Sequence, residues 1–98
     1  MSLIDDALIA LSKEVAELEG IDPYNYLPMR GKWLDQDLER CARLAIKYEL
    51  TMLIQPTYIR RGNSEDSAEY FADHNNDREQ TYCVAVLKAV KVVLETKP

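Results

Sequence analysis

The sequence predicts an all-α fold: a small antiparallel bundle of three long helices and one short helix, forming a single domain over residues 1–98. Three observations lead there. Apolar residues recur at alternating spacings of three and four over residues 2–19, 32–55 and 78–95, the stripe of a helix packed nearly parallel to its neighbours. Polar segments rich in proline, asparagine or aspartate separate the three stripes. Acidic and basic segments alternate along the chain, so antiparallel neighbours would present complementary faces.

The first helix is expected over 2–19. Ser2 followed by Asp5 resembles a capping box with Asp in place of Glu, and Ile4, Leu8, Leu11, Val15 and Leu18 form the stripe. Gly20 suits the left-handed position after a helix end. Residues 21–31 read as a connector, because Pro23 and Pro28 hold the chain extended. Tyr24 and Tyr26 stand two apart and so face the same way in an extended segment; they are the candidate partner-binding residues.

The second helix is expected over 32–55, with Leu34, Leu38, Cys41, Ala45, Tyr48 and Met52 in line. Asp35 and Asp37 lie at its start, where negative charge suits the helix dipole, and Pro56 ends or kinks it. Residues 57–61 read as one more turn after that kink, with an extended segment as the competitor. A short helix is expected from Glu65 to about Asp73, interrupted by His74-Asn75-Asn76-Asp77. The last helix covers 78–95. Its valines raise a strand as an alternative, but helical spacing separates Lys88 and Lys91 from the apolar face where strand alternation would mix them. Leu8, Leu38, Ala45 and Leu87 lie at the centres of their stripes and are the expected core.

Net charge and motifs exclude more than they assign. The formal charge is −5, and a domain that grips duplex nucleic acid by its phosphates carries the opposite balance, so that partner is not expected. No apolar run approaches the length of a membrane span, and the N-terminus lacks the basic start of a signal peptide. Cys41 and Cys83 are far apart with no CxxC, and each falls on an apolar stripe. They read as reduced core thiols in a cytoplasmic protein. Phosphate-binding glycine loops, paired zinc-ligand spacings and a nucleophile elbow are all missing, so no cofactor, metal or catalytic residue is expected.

Two constellations remain. Tyr58, Arg60, Arg61 and Asn63 surround a turn at Gly62; two adjacent arginines can hold a phosphate or carboxylate, and the ring can stack a base. The plainer alternative is that both arginines pair with Glu65, Asp66 or Glu69. Glu65, Glu69, Asp73 and Asp77 recur every four residues, which on a continuous helix would be a ladder of carboxylates beside His74. The leading expectation is therefore a small soluble non-enzymatic interaction or regulatory protein, of adaptor or inhibitor type. It would bind a protein partner or itself as a homo-oligomer. The alternatives are an anionic small-molecule module of nucleotide type using Tyr58, Arg60 and Arg61, and a metal-dependent helical hydrolase using Glu69 and Asp73.

Overall fold

The structure, a computed structural model, describes residues 4–22, 31, 33–63 and 67–96. It corrects the all-α bundle: among the described residues three helices pack with a three-stranded antiparallel sheet in a mixed α/β fold. In chain order the elements are α1 (Asp6–Leu18), α2 (Leu34–Lys47), β1 (Met52–Ile54), β2 (Tyr58–Arg61), β3 (Glu69–Tyr70), a 3₁₀ turn (Phe71–His74) and α3 (Arg78–Thr96). The radius of gyration is 12.6 Å, close to the ~13 Å of a compact chain of about 100 residues.

Helix α1 starts one turn later than the capping-box reading placed it. Asp5 is the cap, its carboxylate accepting from the Leu8 N–H at 2.8 Å. Gly20 closes the helix at φ 72°, with the Ile21 N–H donating to the Ala16 carbonyl and the Gly20 N–H to Glu17. The same closure ends α2, and here no glycine marks it. Glu49 takes φ 54°, its N–H donates to Ile46, and the Leu50 N–H donates to Ala45 at 2.8 Å. The helix expected to reach residue 55 therefore stops at Lys47, and the chain turns into β1.

Pro56 and Thr57 form the two-residue loop of a hairpin. The Gln55 N–H donates to the Tyr58 carbonyl at 2.8 Å, and β1 pairs with β2 in the register Met52 with Arg61, Leu53 with Arg60 and Ile54 with Ile59. The expected kinked helical turn over 57–61 is β2, the central strand. Proline fits the loop because its fixed φ favours a turn and it has no N–H to waste. The short helix expected over 65–73 is replaced by β3, which pairs Tyr70 with Tyr58 and Glu69 with Ile59, and by the 3₁₀ turn that follows.

Asn75 and Asn76 both adopt left-handed backbone, as the interruption at 74–77 anticipated. Asp77 then caps α3, its carboxylate accepting from the Gln80 N–H at 3.0 Å. Helix α3 is the central element, packed against α1 and α2 and against the sheet. Between the helices lie Leu8, Val15, Leu34, Cys41, Leu44, Cys83, Val86, Leu87 and Val90. A smaller cluster of Ile59, Phe71 and Ala85 fixes the sheet to α3, with Met52 and Tyr82 packed against both groups. Of the expected core residues, Leu8, Ala45 and Leu87 are buried and Leu38 is half-buried; Leu34, Cys41 and Leu44 take the centre of the α2 stripe.

Candidate functional site

Strand geometry divides the residues around Gly62. Side chains alternate across a sheet, and cross-strand partners share a face. Ile59 packs on α3, so Tyr58 and Arg60 belong to the opposite, outer face together with their partners Tyr70 and Leu53. Arg61 belongs to the helix side, where it borders a groove with Leu11, Lys88 and Val92. The two arginines thus diverge and cannot act as one clamp. Asn63 is exposed, lining a shallow hollow with Gly62, Thr51 and Tyr48. On the outer face the Tyr58 and Tyr70 rings lie 5.6 Å apart at 50°, within the range of tilted aromatic pairs. The Arg60 Nε is buried with no hydrogen-bond partner among the described residues.

The four-residue carboxylate ladder is not a helix face. Glu69 lies in β3, buried and paired with Lys88 of α3, so the ion pair expected for it with the arginines goes to a lysine. Asp73 is exposed on the 3₁₀ turn, and Asp77 is spent capping α3. Glu65 and Asp66 lie outside the described residues, as do Tyr24 and Tyr26. The hydrolase reading has no converging carboxylates behind it among the residues described.

One polar cluster escaped the sequence reading. Asp37, Cys41 and Cys83 are buried where α2 meets α3, and one ligand-type atom from each lies within 4.8 Å of the others. The Cys41 Sγ is 3.8 Å from Asp37 Oδ2 and 3.8 Å from the Cys83 carbonyl oxygen. Arg40 flanks the carboxylate at 3.8 Å and donates to the Ser12 hydroxyl of α1. Hydrogen bonding with Cys83, followed by burial, pushes the Cys41 thiol far above the usual range. The Asp37 to Cys41 spacing of four is the signal the sequence offers for it, masked because the acid also suits the helix dipole and the thiol the apolar stripe.

Two large apolar side chains are exposed at the edge of the sheet. Ile46 on α2 is 78% exposed and Ile54 on β1 is 63% exposed. They border a groove of about 550 Å³ between α2 and β1, which Ala42, Leu50 and Met52 also line, with Glu49 as its one charged residue. Among the described residues the strand order β1-β2-β3 leaves β1 at the edge. The Gln55 N–H donates to the Tyr58 carbonyl and the Thr51 carbonyl accepts from the Gly62 N–H just past β2, so by antiparallel alternation Leu53 also faces β2 and the N–H and C=O groups of Met52 and Ile54 point outward. No family model matches the chain, and neither the curated proteins nor the solved structures yield a match. Among the described residues no helix is long and apolar enough to cross a membrane.

Proposed function

We propose that the protein is a non-enzymatic interaction module whose working surface is the edge formed by β1 and α2, and that it uses this surface to self-associate. The exposed isoleucines beside an uncharged edge strand carry the reading. Exposed edges are ordinarily guarded by charge, proline or a bulge, because their free N–H and C=O groups template further pairing. Met52-Leu53-Ile54 carries no such guard.

A two-fold axis at Leu53 would set β1 antiparallel to the β1 of a second copy. Met52 of one chain would then bond to Ile54 of the other, and two three-stranded sheets would become one of six. Self-pairing places identical residues near one another, so an uncharged strand is suited to it in a chain of net charge −5. Ile46 and Ile54 would each be covered by the second copy. The buried free thiols suit a reducing, cytoplasmic setting.

Sedimentation velocity over a range of concentrations tests this. The wild-type chain should sediment as a dimer, and the double variant Ile46→Asp/Ile54→Lys as a folded monomer. A wild-type chain that stays monomeric throughout would overturn the self-association reading.

A second reading rests on the outer face of the sheet. Tyr58, Tyr70 and Arg60 together can stack a base and contact a phosphate. It replaces the clamp of Arg60 with Arg61 by Arg60 alone. Thermal shift with nucleoside mono- and triphosphates tests it: stabilisation lost in Tyr70→Ala supports the face, and no shift in the wild type removes it.

A further inference from the structure

We infer that Asp37, Cys41 and Cys83 form a binding site for a soft divalent transition-metal cation of the zinc class, held between α2 and α3. Asp37 and Cys41 are one helical turn apart and project from one face of α2. Cys83 meets them from α3. Tetrahedral zinc, with Zn–S of about 2.3 Å and Zn–O of about 2.0–2.2 Å, sets its sulfur ligands about 3.8 Å apart and sulfur from oxygen about 3.5 Å apart. The 3.8 Å between Cys41 Sγ and Asp37 Oδ2 already approaches that edge. The three ligand-type atoms all lie within 4.8 Å of one another.

Two sulfurs and one carboxylate oxygen are a donor set that favours zinc over magnesium or calcium, which take oxygen ligands almost exclusively. Arg40 acts as a positioning residue: it flanks Asp37 and is itself tied to Ser12 on α1. Its charge also balances the site, since two thiolates and a carboxylate around a divalent cation leave one negative charge. The cation would therefore tie α2 to α3 at the centre of the helical core and, through Arg40, brace α1.

A packing role for the same residues makes different predictions. Cys41 and Cys83 would then be small apolar fillers and Asp37 the counter-ion of Arg40. The test uses the full chain, stripped with a chelator and kept under reductant, with Co²⁺ as the probe. A single Co²⁺ per chain should bind with a thiolate-to-cobalt charge-transfer band, and Zn²⁺ should displace it. Zn²⁺ should also raise the thermal midpoint of the wild-type chain, a readout that needs no variant. Cys83→Ser should weaken the charge-transfer band, since one thiolate remains, and Cys41→Ser/Cys83→Ser should abolish it. Asp37→Asn should weaken Zn²⁺ binding by more than the about 10- to 100-fold that losing an outer partner costs. Circular dichroism on each variant confirms folding. Absence of the band in the reduced wild type, Co²⁺ binding without thiolate charge transfer, or an unchanged band in a folded Cys41→Ser/Cys83→Ser chain would each overturn the site.

Discussion

Replacing Ile59 with alanine should destabilise the protein far more than a change at a surface turn would. Ile59 sits in the central strand and is 1% exposed, against Phe71 and Ala85, with Met52 and Tyr82 beside it. It is the main apolar side chain that fastens the sheet to α3. Removing three carbons forfeits about 0.8 kcal/mol each in transfer free energy. The cavity left behind brings the expected loss to about 2–5 kcal/mol. A domain of this size has a total stability of about 5–15 kcal/mol, so the loss is a large fraction of it. Urea denaturation followed by far-ultraviolet circular dichroism and by tyrosine fluorescence measures the loss. A loss below about 0.5 kcal/mol, the effect of an ordinary surface substitution, would refute the docked sheet.

Three further outcomes follow from local geometry. Asp77→Ala removes the cap of α3 and should cost about 0.5–2 kcal/mol by urea denaturation. Glu49→Gly should stabilise by up to about 1 kcal/mol, because Glu49 is held at φ 54° where a side chain is strained, although glycine gives back part of this through a more flexible unfolded chain. Burial raises the Tyr82 phenol, and burial followed by the Glu19 hydrogen bond raises that of Tyr48. Both hold their protons more tightly when folded, so the stability they contribute is fully present below the ordinary tyrosine value of 10.0 and is lost as pH rises through their folded values. The urea midpoint should therefore fall above about pH 10, and Tyr82→Phe should reduce the slope.

The helices were legible where apolar spacing and end signals agreed. Helix α1 has its stripe and Gly20, and α3 keeps Lys88 and Lys91 apart from its apolar face, so both lie near their expected positions. Helix α2 was read too long for two physical reasons. Its end is made by Glu49 in a conformation that glycine usually signals, and Met52 falls by chance at the next helical position. Strands of three, four and two residues are too short to display alternation, so β1 and β3 left no periodic trace. Pro56 beside Tyr58 and Ile59 is the hairpin signal, and a proline after an apolar stripe equally suits a helix kink. The carboxylate ladder was a coincidence of spacing across β3, a 3₁₀ turn and a helix cap. At the site, strand alternation separates Arg60 from Arg61 and joins Tyr58 to Tyr70, a partner twelve residues on that only the strand register reveals.

Amide hydrogen exchange along β1, followed as a function of protein concentration, tests the edge-pairing account most directly. Leu53 faces β2 and should be protected at every concentration. The amides of Met52 and Ile54 point to the open edge and should exchange freely in dilute protein, then slow as the concentration rises and the second copy pairs with them. In Ile46→Asp/Ile54→Lys the amide of Met52 should remain fast throughout. Free exchange at Met52 and Ile54 in concentrated wild-type protein would contradict the account.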